Sequence, residues 1–420
     1  MSLEDRRNNI LYYEAAEKIV RDWINENAVS HCFENGKGEV TLKDSVTEIG
    51  IGAFEECWDL ISVVIPDSVT KIEGGAFFKC YALTSVRIPD SVTEIGDDAF
   101  RNCYSMKSLF IPKALTTIGR DVFRYCAGLE SIIVDENNPK YDSRNNCNAL
   151  IETKTNILLK GCMNTVVPEY VTKIERNAFE SCPGLKSINL PDSVSEIGHR
   201  AFVGCEALAS VNIPNSVKKI EGLAFGWCSS LKSIHLPESL TDMASSVFEG
   251  CTGLESITVD GNNPKYDSRD NCNAIIETKT NTLLFGCMNT VIPDSVTEIA
   301  EDAFCHNTNI STIIIPDSVT KIGSMAFGYC QSLKSVVIPD SVTEVESHVF
   351  EGCDSLTSVK IGKSVKKIGR SAFLRCSNLT SIDIPDSVTE IGDYAFFECD
   401  KLPEETKKKI SEIIKRSIEA

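Results

Sequence analysis

The sequence predicts an α/β solenoid, a curved array of short stacked repeats with one long parallel sheet on its concave face. Two observations predict this fold. A unit of 23 residues recurs along the chain, and its apolar, proline and glycine positions are the same from copy to copy. A unit this short cannot bury its own apolar face, so neighbouring units must stack to make a core. Cysteines mark the units at positions 57, 80, 103 and 126, at 182, 205, 228 and 251, and at 330, 353, 376 and 399.

Each unit resembles the one that begins at Cys80 and reads C-Y-A-L-T-S-V-R-I-P-D-S-V-T-E-I-G-D-D-A-F-R-N. Val86 and Ile88 alternate as inward-facing residues of a short strand do. Pro89 ends that strand because it has no N–H to donate to a ladder. A second apolar segment then returns the chain to the core at Phe100. This order predicts parallel strands joined by short crossovers.

Two longer units interrupt the spacing, near residues 137–163 and 262–288. Their sequences are almost identical and lie 125 residues apart, which indicates that a larger block was duplicated. Each copy has two apolar runs around a polar turn, a pattern that predicts a β-hairpin. The predicted arms are residues 149–151 with 157–159, and 274–276 with 282–284. With these units we expect about 15 stacked strands at about 4.8 Å each, a sheet roughly 70 Å long.

Helical caps are expected to cover the apolar ends of the stack. Residues 4–26 carry apolar side chains at helix-like intervals and predict an N-terminal cap within residues 1–36. The solenoid itself is assigned to residues 37–402. Pro403 begins a C-terminal cap over residues 403–420. Either helix is alternatively a partner-binding element. The apolar positions are Ile10, Ala15, Ile19, Val20 and Trp23 in the first helix, and Ile410, Ile413, Ile414 and Ile418 in the second.

The net charge of −18, with 60 acidic and 42 basic residues, argues against several kinds of partner. Nucleic acid and anionic membranes are disfavoured, because both attract clustered Lys and Arg. No run approaches the roughly 20 apolar residues that a membrane-spanning helix needs. The first residues do not read as a signal peptide, so we expect either a cytoplasmic protein or one whose leader was removed.

Twelve of the 18 cysteines occupy the repeated position and predict a structural ladder of buried free thiols. Equivalent cysteines of stacked units lie about 4.8 Å apart and point the same way, which is outside disulfide geometry. They do not converge as zinc ligands do, and the chain has no C-x-x-C. One alternative stays open within the insertions, where Cys147 and Cys162, and likewise Cys272 and Cys287, are close enough in sequence to form disulfides.

No residue pattern indicates catalysis, a metal site or a cofactor site. The histidines lie at different repeat positions, and none accompanies a nucleophile in a recurring arrangement. Asp135, Asn137, Asn138 and Asp142 lack the alternating spacing of a calcium loop and are read as solvated. The sequence therefore predicts a protein that is not an enzyme, with no metal and no cofactor. The histidines are His31, His199, His235, His306 and His348.

One outward position of the strand varies strongly between units, while its neighbour two residues earlier is nearly always Ser. We predict that this variable row binds a partner, because exposed apolar side chains cluster at both of its ends. A protein or peptide is favoured over a carbohydrate, since only Phe110 offers a large aromatic ring. The alternative is sequence drift at unconstrained exposed sites. The twelve positions are Val64, Arg87, Phe110, Ile133, Asn189, Asn212, His235, Thr258, Ile314, Val337, Lys360 and Asp383.

The unit L-T-S-V-x-I-P-D-S-V-T-x-I-G-x-x-A-F-x-x-C resembles the BspA-like subclass of bacterial leucine-rich repeats. The insertion N-P-K-Y-D-S-R-D-N-C-N-A-I-I-E-T-K-T-N-T-L is similar to a segment that recurs in that family. The resemblance extends from about Val40 to Leu402. It implies a secreted or cell-surface protein that adheres to host proteins or to other bacteria.

These observations lead to a non-catalytic binding or adhesion module as the first hypothesis for function. Its expected partner is a protein or peptide, such as a host or bacterial surface protein, and the expected state is a monomer. An intracellular scaffold or sensor is the alternative, suggested by the missing leader and by the many free thiols. An enzyme would require a buried cleft with convergent titrating groups near the insertions.

Overall fold

The computed structural model describes residues 9–419, and side chains for residues 9–417. Its fold is a β-solenoid of about 15 turns with repeats of about 23 residues. Residues up to Cys205 and residues from Glu206 onward form two compact units. Turns connect the strands, and α-helix is confined, among the described residues, to Asp22–Asn27 and Glu404–Glu419.

Two rows of short strands build the first unit. We call the strands that begin at the repeated serine the serine strands, and the two-residue strands near the middle of each repeat the mid-repeat strands. The serine strands are Ser62–Val64, Ser85–Arg87, Ser108–Ile111, Ser131–Val134 and Ser187–Asn189. The mid-repeat strands are Glu48–Ile49, Lys71–Ile72, Glu94–Ile95, Thr117–Ile118, Lys173–Ile174 and Glu196–Ile197.

The second unit repeats this arrangement. Its serine strands are Ser210–Asn212, Ser233–Leu236, Ser256–Val259, Ser335–Val337, Ser358–Lys360 and Ser381–Asp383. Its mid-repeat strands are Lys219–Ile220, Asp242–Met243, Glu298–Ile299, Lys321–Ile322, Glu344–Val345, Lys367–Ile368 and Glu390–Ile391.

Parallel pairing in steps of 23 residues fixes the register of both rows. Ser62 pairs with Ser85 in the serine row, and Glu48 pairs with Lys71 in the mid-repeat row. The structure thus differs from the single long sheet expected, because the mid-repeat segment also forms strands and the serine row is divided into separate ladders. Strands of two to four residues between turns leave few hydrogen bonds per pair, so small shifts interrupt a ladder.

The predicted hairpins are present in both insertions. In the first, Ala149–Glu152 pairs antiparallel with Ile157–Gly161, and Tyr141–Asp142 adds a third strand. The second arm also pairs in parallel with Lys173–Ile174, so it takes a place in the mid-repeat row. The second insertion has the same strands, with the same pairings. They are Tyr266–Asp267, Ala274–Glu277 and Thr282–Gly286, and short 3-10 turns lie at Arg144–Asn146 and Arg269–Asn271.

Stacked phenylalanine rings run through the core of each unit. Phe77 and Phe100 are fully buried, and their parallel rings lie 5.0 Å apart, about the spacing of adjacent strands. In the second unit Phe304 and Phe327 stack in the same way at 5.0 Å. Because the repeats outside the insertions supply a ring at the same place, the same packing continues from turn to turn between the insertions.

The repeated cysteines are buried free thiols, as the sequence predicts. Cys103 Sγ donates to the carbonyl oxygen of Phe77 at 3.3 Å, and Cys330 Sγ does so to Phe304 at 3.2 Å. Each thiol therefore links its own turn to the preceding one. The insertion cysteines are also free in this structure. Cys162 Sγ lies 3.5 Å from the carbonyl oxygen of Asn148.

The helix predicted for residues 4–26 is wrong over residues 9–21, and residues 4–8 lie outside the described residues. Ile10–Glu14 is a strand, and only Asp22–Asn27 is helical. The strand forms because its aromatic and β-branched residues pair antiparallel with the edge strand Ser62–Val64, a tertiary contact that outweighs local preference. Two further strands, Ala28–Glu34 and Lys37–Leu42, complete this N-terminal sheet.

The C-terminal helix, Glu404–Glu419, follows Pro403 as predicted. Ile410 and Ile413 are buried against the core, and Ile414 packs beside them. The side chain of Ile418 lies outside the described residues. The helix therefore covers the apolar end of the second unit with one face.

Candidate functional site

The variable position faces solvent in both units. Eleven of the twelve predicted residues lie at the third position of a serine strand, whereas Ile314 lies in a turn of the solenoid that has no assigned strand there. All are exposed except Val64, which is half-buried because the N-terminal strand pairs beside it through Tyr12. The neighbouring strand residues, such as Val63 and Val86, are buried.

Parallel pairing places several of these side chains side by side. In the first unit Val64 is paired with Arg87, and Phe110 with Ile133. In the second unit the pairs are His235 with Thr258, and then Val337, Lys360 and Asp383 in succession. Rows of outward residues therefore exist within each unit, as the 23-residue spacing predicts.

Two further residues belong to this row but were not predicted from the sequence. Val166 and Val291 each lie two residues before the proline that ends the segment, as Arg87 lies before Pro89. They are 70% and 71% exposed. The insertions disrupt the cysteine spacing by which the row was found, but the spacing to proline would have identified both.

Val166 completes an apolar patch in the first unit, which we define as Phe110, Ile133 and Val166. Phe110 and Ile133 are 43% and 53% exposed. The turn that carries Val166 lies beside that of Ile133, because Asn164 Nδ2 donates to the carbonyl oxygen of Glu130 at 3.0 Å. Three successive turns thus present large apolar side chains to water, the feature that most often marks an interaction surface.

Val291, Ile314 and Val337 form the corresponding patch of the second unit. Ile314 is 84% exposed and Val337 is 55% exposed. Val291 and Ile314 line one open cavity of about 850 Å³. The backbone N–H of Lys334 donates to the carbonyl oxygen of Ser311 at 3.2 Å, which holds the turn of Val337 beside that of Ile314. The patch therefore includes a depression that suits an apolar side chain of a partner.

Polar residues at the same position make specific contacts with one another. His235 Nδ1 and Thr258 Oγ1 lie 3.0 Å apart and share a hydrogen bond. Lys360 and Asp383 bring opposite charges to paired positions of adjacent strands. These groups supply hydrogen-bonding and charge complementarity beside the apolar surface.

A row of stacked aromatic rings in the first unit was not predicted from the sequence. Trp58, Tyr81 and Tyr104 each follow a repeated cysteine, and their rings stack with centroids 6.5 and 5.3 Å apart. A sugar ring would need a free aromatic face, but stacking covers the faces that lie between the rings. This row gives carbohydrate binding little support.

Two kinds of feature are absent from residues 9–419, namely a metal-binding group and a membrane-spanning helix. Among these residues no group of three or more His, Cys, Asp or Glu side chains is arranged to hold a metal ion. No helix there has both the length and the apolar character that crossing a bilayer requires.

Comparisons with known proteins agree with this architecture. A model of the BspA type leucine rich repeat region matches in six copies, over residues 24–150, 160–274 and 286–415. The two breaks in the match coincide with the hairpins of the insertions. No curated protein matches this chain significantly.

Among solved structures, the chain is similar to a leucine rich cell surface protein from Faecalibacterium prausnitzii. The two are 29% identical, with a TM-score of 0.59, over 90% of this chain and 94% of that one. The pneumococcal vaccine antigen PcpA is 20% identical, with a TM-score of 0.48, over 85% of this chain and 72% of that one. A leucine-rich repeat protein from Eubacterium ventriosum is 19% identical, with a TM-score of 0.43, over 81% and 84%.

The matched residues cover most of the chain, and the repeats they contain are the solenoid turns described above. The chain belongs to the BspA-type leucine-rich repeat family.

Proposed function

We propose that this protein binds a protein or peptide partner through the outward residues of its serine strands. The observation that carries the proposal is the pair of apolar patches, each formed by three successive turns of one unit. Contiguous exposed apolar side chains usually mark an interaction site. The repeat family and its architecture are typical of protein-binding, non-catalytic proteins.

The proposed setting is the cell surface, where the protein would act as an adhesion module. The similar protein from Faecalibacterium prausnitzii is described as a cell surface protein. The alternative is an intracellular scaffold or sensor, which the many free thiols favour. Protease treatment of intact cells that carry the full-length gene separates the two, because only a surface protein is cleaved while the cells remain closed.

The binding face is tested by charge substitution in each patch. Ile133→Asp with Val166→Asp, and separately Ile314→Asp with Val337→Asp, should each weaken partner capture from extracellular matrix or cell lysate at least tenfold. Arg87→Glu with Phe110→Asp, at two successive positions of the same row, should have the same effect. Ile51→Asp is the matched control, since Ile51 is 81% exposed but lies outside the serine strands.

Circular dichroism should be unchanged in every variant, since all substituted side chains are exposed. Partner capture that survives both patch variants would refute the assignment of the face. Capture that is lost in the Ile51 control as well would show that added charge alone disturbs binding.

A further inference from the structure

The first insertion contains a buried lysine where the second contains a core phenylalanine. Lys160 and Phe285 occupy the same position of the duplicated block, 125 residues apart, within L-L-K-G-C and L-L-F-G-C. Phe285 joins the phenylalanine stack of its unit, 5.5 Å from Phe248. Lys160 is equally buried, at 6% exposure, and so places an ammonium group where the other copy places a ring.

Lys160 lines a cavity of about 410 Å³ within the first unit. Phe123, Leu150 and Leu159 give the cavity an apolar wall, and Arg176 lies at its polar side. This volume is in the range of sites that hold small organic molecules, which is roughly 300–1,000 Å³. The cavity joins a buried amine to an apolar surface, an arrangement that is suited to an amphipathic ligand.

The unpaired charges of this cavity are positive. Its acidic residues have partners, since Asp97 is paired with Arg120 and Glu175 with Lys173. Among the described residues no carboxylate lies within ion-pair distance of the side chains of Lys160 or Arg176. An anion in the cavity would supply the counter-charge that Lys160 and Arg176 lack.

Asn177 adds a hydrogen-bond acceptor to the cavity. It is 6% exposed, and its Nδ2 donates to Asp121 Oδ1 at 2.8 Å, which fixes the orientation of the amide. Its Oδ1 is buried and has no protein donor. Asn177 lines the cavity, and a ligand hydroxyl or amine that enters beside it would supply the missing donor.

The duplicated block provides an internal comparison. The cations that line the first cavity are replaced in the second insertion by uncharged or acidic residues, and Asn177 is replaced by Asp302. The replacements are Arg120 by Ser245, Arg124 by Glu249, Lys160 by Phe285 and Arg176 by Glu301. The hairpin of the second insertion therefore folds without these cations and without the asparagine. The charged cavity is thus not required for such a hairpin to fold.

We propose that this cavity binds a small organic acid that has a compact apolar body and one hydroxyl or amine donor. The carboxylate would contact Lys160 and Arg176, and the donor would reach Asn177 Oδ1. This inference is independent of the partner-binding face, and neither proposal rests on the other.

Calorimetric titration with three probes tests each contact separately. The first probe, 3-hydroxybenzoate, should bind at one site. Benzoate lacks the hydroxyl and should bind about tenfold more weakly, and 3-hydroxybenzyl alcohol lacks the carboxylate and should bind about 100-fold more weakly. Failure of all three probes to bind, or equal binding by all three, would overturn the proposal.

Two variants locate the binding. Lys160→Phe and Arg176→Glu introduce the residues of the second insertion, so both should fold, and each should reduce 3-hydroxybenzoate binding at least tenfold. Lys154→Met, which removes an exposed lysine from the turn of the same hairpin, should bind normally. Binding that is unchanged in Lys160→Phe would show that the probe lies elsewhere and would contradict the proposal.

Discussion

Arg124 and Glu180 are 56 residues apart in the sequence, yet their side chains form a bidentate ion pair across the first insertion. Arg124 Nε and a terminal guanidinium nitrogen donate to the two Glu180 oxygens at 2.5 and 3.0 Å. Arg200 donates to the same carboxylate at 2.9 Å. Glu180 is fully buried, so the hairpin leaves the flanking turns close enough for a desolvated charge pair.

Removing this carboxylate should destabilise the first unit. We expect Glu180→Ala to reduce the free energy of unfolding by about 3 kcal/mol, because two partly buried guanidinium groups lose their counter-charge. Urea denaturation measures this change. Glu130→Ala breaks the exposed pair with Lys107 and should lose less than about 1 kcal/mol. Equal losses in the two variants would contradict a special role for the buried pair.

The stacked phenylalanines should dominate the stability of each turn. Phe100→Ala removes a fully buried ring between Phe77 and Phe123 and should lower the free energy of unfolding by about 3–5 kcal/mol. Phe110→Ala is the matched control on the exposed face, and its effect should remain within about 0.5 kcal/mol. Thermal and urea denaturation should rank the two variants in the same order.

Thiol reactivity should distinguish the one exposed cysteine from the others. Burial raises the pKa of the Cys182 and Cys272 thiols to about 11, so little thiolate is present at neutral pH. We expect Ellman's reagent to modify about one thiol in the native protein, at Cys32, and all 18 after denaturation. Cys32→Ser should remove the native reaction. Rapid modification of several thiols in the native state would contradict the buried ladder.

Stability should fall as the pH falls below neutrality. Burial lowers the pKa of His306 below its ordinary value of 6.5, and burial with the nearby Lys18 lowers the pKa of His31. The unfolded chain therefore binds more protons than the folded one as pH drops through 6.5, and the free energy of unfolding decreases. Urea denaturation between pH 7.5 and 5.5 measures this dependence.

His306→Tyr isolates the contribution of one histidine. Tyr329 occupies the same position one repeat later, with a φ of 57° against 60° for His306, so a tyrosine is compatible with the backbone there. The variant should keep the ring stack with Tyr329 and show a flatter pH dependence. An unchanged pH dependence would mean that other groups account for it.

The features that recur in every unit could be predicted from the sequence, because a repeated unit has the same neighbours in every copy. The inward positions of the unit, the free thiols and the outward row all follow from the spacing of 23 residues. Val166 and Val291 were missed because the insertions shift the cysteines away from that spacing.

Features that depend on contacts found in a single copy of the repeat could not be predicted from the 23-residue spacing. Ile10–Glu14 becomes a strand because Ser62–Val64 offers it an open edge, which no local pattern reveals. The cavity at Lys160 likewise depends on residues from five separate segments of the first unit. In both cases the deciding neighbours are distant in the chain and occur in only one copy.

The N-terminal sheet also determines what the first unit cannot do. Ile10–Glu14 pairs antiparallel with the edge of Ser62–Val64. Lys37–Leu42 pairs with the other edge of Ile10–Glu14. A further parallel turn from another molecule therefore cannot pair with Ser62–Val64 in the serine row. A chain that lacked this sheet would expose an open parallel edge, and such edges promote growth into filaments. The sheet thus blocks parallel extension of the serine row at this end of the first unit.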